Sequence, residues 1–116
     1  MKTVTLDQIP RTPVAMDGAH RAHKQLVLGS QDGAPTFSFR VFTLDPGGHT
    51  PFHQHESEHL NYVISGRGAL VDPDGKQTPL QQGDFALVLP NEKHQYLNTS
   101  GTEPLLLLCA VPAIFE

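Results

Sequence analysis

Along most of the chain, short runs of β-branched, aromatic and aliphatic residues are separated by clusters of Gly, Pro, Asn and Asp, and no long helical periodicity is present. The apolar runs predict strands over 25–29 (QLVLG), 36–44 (TFSFRVFTL), 52–55 (FHQH), 59–65 (HLNYVIS), 68–72 (GALVD), 84–89 (DFALVL), 94–98 (HQYLN) and 104–111 (PLLLLCAV). Between them, DPGG (45–48), SGRG (65–68), DPDG (72–75), QQGD (81–84), LPNE (89–92) and TSGTEP (99–104) read as turns. Gly and Asn accept left-handed backbone there, Pro presets φ, and Asp bonds to nearby backbone. About eight strands that close on themselves also hide their edges, so the pattern predicts an all-β barrel or sandwich. Residues 1–24 are less regular and are expected to form an N-terminal arm packed on the barrel or on a neighbour, with 25–116 as the barrel domain.

Composition narrows this picture. A chain of 116 residues has room for one domain and one core. The formal net charge of −4, with no cluster of Lys or Arg, offers no footprint for a nucleic-acid backbone. The longest apolar run, LLLLCAVPAIF (105–115), falls short of the ~20 residues that cross a bilayer and is broken by Pro112, so it reads as a buried strand and no membrane partner is expected. The N-terminal MKTVTLDQIP carries Asp7 and Pro10 where a secretory signal would be apolar, and Cys109 is the only cysteine; both fit a cytoplasmic protein. Two apolar stretches, ALVLP (86–90) and LLLLCAV (105–111), alternate poorly and carry more apolar surface than one interior needs. The surplus predicts a homodimer; the competing expectation is that the arm covers the outer face.

The chemistry concentrates in HTPFHQHESEHLNYVISG (49–66), which holds His49, His53, His55 and His59 of the seven histidines in the chain. Residues two apart on a strand share a face, so His53 and His55 present two imidazoles side by side. An H-x-H-x-x-x-H string arises by chance only about 0.02 times in a chain of this histidine content, which favours metal ligation over a solvated patch. His94 opens a later strand. His49 is out of register and is expected in a loop at the cavity mouth, with His20 and His23 on the surface. If His94 and His59 point inward, parity turns Tyr96, Asn98, Asn61 and Val63 inward as well. Tyr96 is then a candidate for substrate contact, and Cys109 shares a face with Leu107 and Val111. Arg40, alone in FSFRVF (37–42), either meets an anionic substrate inside or is a solvated outer residue. Glu56 and Glu58 either orient imidazoles or are solvated.

At these residues the chain resembles the cupin superfamily. The segment from Gly47 through His53, His55 and His59 to Gly66 is similar to the first cupin motif, and Gly83, His94 and Asn98 stand in register with the second. His59 occupies the position usual for a glutamate ligand, Leu89 stands where proline is usual with Pro90 one place on, and Asn91 replaces a glycine. The resemblance implies a small single-domain bacterial cupin of the four-histidine type: a double-stranded β-helix, or jelly roll, in which His53, His55, His59 and His94 bind one divalent transition metal. Manganese or iron is the ion first expected, with zinc, nickel or copper accepted by the same donors. Glu58 replaces His59 only if the motif slips by one residue, and strand parity opposes that. Cupin sites keep two adjacent coordination positions open, which implies a small-molecule substrate and, as the leading expectation, an oxidoreductase of the dioxygenase or oxidative-cleavage kind. The alternatives are a Lewis-acid lyase or isomerase and a non-catalytic metal-binding or sensing barrel. Catalytic candidates are Tyr96, Cys109 and Arg40.

Overall fold

A computed structural model describes residues 1–116. It contains nine strands: β1 (Thr12–Pro13), β2 (His20–Leu28), β3 (Phe37–His49), β4 (His59–Ser65), β5 (Arg67–Val71), β6 (Gln77–Gln81), β7 (Phe85–Val88), β8 (Gln95–Asn98) and β9 (Leu105–Pro112). The only helical pieces are single 3-10 turns at Leu6–Gln8, Ser30–Asp32 and Ala113–Phe115. All strand pairings are antiparallel, in the order β6-β5-β8-β3-β9-β4-β7, with β2 and then β1 added on β3. β3 makes this curl possible. Its first half pairs with β2 on one side and β9 on the other, and past the bend at Gly47 (φ +76°) its last residue, His49, pairs with His20 and Leu97.

The expected strands are present with four differences, the first being that β3 runs on through DPGG (45–48), read as a turn, to His49. The run 52–55 is not a strand: Pro51 precedes it, and only the isolated bridge His53–His94 survives. β6 was not legible, because QTPLQ is polar and carries Pro79; as a strand at the end of the sheet path it needs ladder bonds on one side only. β2 begins at His20 rather than Gln25, so the sheet starts inside the segment read as an arm. The arm that precedes it is tied down by β1 and by Gln25, whose Nε2 donates to the carbonyls of Leu6 and Ile9 at 3.0 and 2.8 Å.

Alternation resolves the run that looked uniformly apolar. In β9, Leu105, Leu107, Cys109 and Val111 are buried while Leu106, Leu108 and Ala110 face outward. Leu105 and Leu107 join Ala22, Leu44, Val63, Leu80 and Tyr96 in the core. Tyr96 and Leu107 also line a cavity of about 320 Å³, so the core forms one wall of that cavity. Val14 from the arm packs against both.

Candidate metal centre

The cavity is assembled by docking the loop after β3 onto the segment before β8. His53 and His94 exchange backbone hydrogen bonds at 3.0 and 2.9 Å, Thr50 and Tyr96 are linked by two bonds of 3.0 and 2.9 Å, and the Asn91 N–H donates to the His55 carbonyl at 2.8 Å. Asn91 lies at φ +62°, the left-handed conformation that its motif position requires and that Asn adopts more readily than most residues. These bonds set His53, His55 and His94 around one point.

Their ligand nitrogens all lie within 4.8 Å of one another, and the rings of His53–His55, His53–His94 and His55–His94 have centroids 5.3, 5.3 and 4.8 Å apart. Backbone carbonyls select the tautomers. His55 Nδ1 donates to Ser57 O at 2.7 Å and His94 Nδ1 donates to Glu92 O at 2.8 Å, which leaves both Nε2 atoms with bare lone pairs. His55 Nε2 is buried with no hydrogen-bond partner in the protein. A buried acceptor surrounded by other acceptors is a costly arrangement that a cation relieves. The donor set therefore fits a transition ion. Burial depresses the pKa of His53 and of His94, so both are neutral at pH 7 and able to ligate.

His59 enters the same cavity from the start of β4 but sits to one side. Its ring stacks on His55 with centroids 3.8 Å apart, and its Nε2 lies 3.4 Å from Arg40 Nη2. Burial first, then the proximity of His55 and Arg40, lowers its pKa to about 3. Glu58 and Glu56 are exposed and do not line the cavity, so neither takes part in the cluster. His49 also stays outside, with Nδ1 3.1 Å from Thr50 O and its ring beside that of His20.

The three other candidates all face inward. Tyr96 donates to Asn61 Oδ1 at 2.7 Å, and burial pushes its hydroxyl well above the ordinary phenol range, so it keeps its proton. Arg40 and Cys109 are register partners on β3 and β9, and Arg40 Nη2 donates to Cys109 Sγ at 3.1 Å. Asn98 is buried as parity required but does not line the cavity. Its amide donates to Leu44 O and Glu103 O at 2.9 and 2.8 Å and holds the loop after β8. Sequence reasoning missed Val14, Met16 and Phe115, which bring the two chain ends to the cavity. Phe42 was within reach, since it shares parity with Arg40 on β3.

A family model of the cupin domain matches residues 40–111, from Arg40 on β3 to Val111 on β9. The chain belongs to the cupin family. Among solved structures, this cupin superposes on the polyketide cyclase RemF from Streptomyces resistomycificus with a TM-score of 0.91 at 30% identity, covering 97% of this chain and 80% of that one. It is 34% identical over 92 residues to an L-ectoine synthase of Nocardia farcinica, which spans 78% of this chain and 69% of that protein. A likeness to gentisate 1,2 dioxygenase 1 of Aquipseudomonas alcaligenes is 38% identical over 55 residues; it takes in 47% of this cupin and 16% of the dioxygenase. No helix is long and apolar enough to cross a membrane.

Proposed function

We propose that this cupin is a metal-dependent enzyme acting on a small molecule, with His53, His55, His59 and His94 as ligands and Lewis-acid chemistry of the cyclase or lyase kind as its reaction. The observation that carries this reading is the convergence of neutral imidazole nitrogens in a cavity with no carboxylate in its wall. Four neutral donors leave a divalent ion its full charge, so the ion would polarise oxygen atoms bound to it. The protein supplies the rest. Tyr96, kept protonated with its O–H bonded to Asn61 Oδ1, leaves its oxygen lone pairs in the cavity wall to accept a hydrogen bond from a bound molecule. Phe42, Leu107 and Phe115 give the cavity apolar walls that limit water.

The sequence alone favoured oxidation. The dioxygenase likeness, over 47% of the chain, supports that as the second reading, but the likenesses to a cyclase and to a synthase run over 97% and 78%. This difference in extent supports the non-oxidative class. Phenylpyruvate in D2O separates the two. Lewis-acid chemistry predicts that the zinc- or manganese-loaded protein exchanges the C3 hydrogens faster than the metal-free protein, buffer base taking the proton while the ion would stabilise the enolate, without oxygen uptake. Oxygen consumption confined to the iron-loaded form would favour oxidative cleavage, and neither activity would leave a binding barrel.

The same reading takes the protein to be a homodimer. Leu60 and Leu87, each a little over half exposed, and Phe85, 80% exposed, stand together on the outer face of β4 and β7, which the N-terminal arm does not cover. Such a band is more apolar surface than a monomer ordinarily leaves in water. Light scattering at micromolar concentration is expected to give about twice 12.7 kDa, and Phe85→Asp with Leu87→Asp to return it to 12.7 kDa. A wild-type mass of 12.7 kDa would refute the pairing.

A further inference from the structure

Beside its histidines the cavity holds a cation with no counter-ion. Arg40 is only 8% exposed, and its Nε is buried without a partner. Nη2 donates to Cys109 Sγ at 3.1 Å and lies 3.4 Å from His59 Nε2, while the guanidinium carbon is 5.0 Å from the centre of the Phe42 ring. A thiol and a ring face are weak partners for a full charge that arginine does not shed. Nη1 makes no hydrogen bond within the protein and, unlike Nε, is not enclosed. No Asp or Glu lines the cavity, and the ion pairs of the chain, Lys2–Asp32, Arg11–Asp45 and His23–Asp45, leave Arg40 out. Its charge is felt as far as Lys24 on β2, whose amine is held below the usual lysine range first by burial and then by Arg40. A buried charge left this way destabilises the empty protein, and an anion that meets it recovers the loss.

We propose that Arg40 is a specificity-determining residue that binds a carboxylate, and that the cavity takes a small organic acid. The carboxylate accepts hydrogen bonds from Nη1, whose N–H groups have no partner in the protein. The body of the acid lies against Phe42, Leu107 and Phe115, which line the same cavity. Arg40 is one imidazole from the metal cluster, since His59 lies between it and His55. A second oxygen a few bonds from the carboxylate therefore faces the histidines; that second contact rests on the proposed metal reading, whereas the carboxylate contact does not.

The test uses the full chain with metal removed by chelation, so that only Arg40 distinguishes an acid from its neutral analogue. Calorimetric titration with 3-phenylpropionate and 3-phenylpropionamide is expected to show the carboxylate binding about tenfold or more tightly, as a charge-assisted pair would. Arg40→Gln should bring the two ligands to equal affinity, and Arg40→Lys should keep part of the preference. Arg40→Gln is also expected to melt no lower than wild type, because it removes an unpaired buried charge; were it not to fold, the two ligands on wild type still decide. Equal affinities in wild type, no carboxylate binding, or a preference that survives Arg40→Gln overturns the proposal. Because no metal is present, that failure leaves the histidine site untouched, while a chain that binds carboxylate but no metal would fail only the metal reading.

Discussion

His94→Ala is expected to weaken binding of a divalent transition ion by about 100-fold or more, with His53→Ala and His55→Ala close behind. The three nitrogens lie within 4.8 Å of one another, and two of them have tautomers fixed by carbonyls at 2.7 and 2.8 Å, so each substitution removes a donor already aimed at the common point. The backbone frame should survive, because the bonds that dock the loop on β8 come from main-chain atoms of His53, His55 and His94. Circular dichroism should therefore be unchanged while competition against a chelator records the loss. His59→Ala carries separate information. A loss of similar size makes it the fourth ligand; retained wild-type affinity leaves a three-histidine site with His59 beside it, stacked on His55.

Gly66→Ala is expected to cost about 3 kcal/mol or more. Gly66 closes the turn between β4 and β5 at φ +83°, and a Cβ there would sit 2.2 Å from the carbonyl oxygen of Pro104. That neighbour is main chain entering β9, the strand that carries Cys109, and it cannot rotate aside. Gly75 is the control: its φ is +84°, but a Cβ meets nothing within 4 Å, so Gly75→Ala should show only the left-handed penalty of about 1 kcal/mol. Urea midpoints of the two variants give the comparison. Equal losses would mean that the close approach of Pro104 contributes nothing.

Much of the site was legible because it is built from spacing. Residues two apart share a face in extended backbone, and His53 and His55 do meet His94 although 52–55 keeps only one bridge. Asn91 could be read as a left-handed residue from its motif position, and φ +62° bears this out. The direction of Arg40 was not legible, since FSFRVF carries apolar residues on both faces of β3. Pairing with Cys109 on β9 turns it inward. β6 and the cavity contacts of Val14, Met16 and Phe115 depend on tertiary packing of segments without periodicity, which no local pattern encodes.

The central claim is that these histidines hold one metal ion. Its most direct test is metal analysis of the full chain purified without added metal and then equilibrated with manganese, iron, zinc, nickel or copper, followed by X-ray absorption. About one ion per chain is predicted, with imidazole nitrogens as its main protein ligands, and loss of that ion in a variant with alanine at His53, His55 and His94. A chain that binds none of these ions, or a triple variant that binds them as the wild type does, would contradict it.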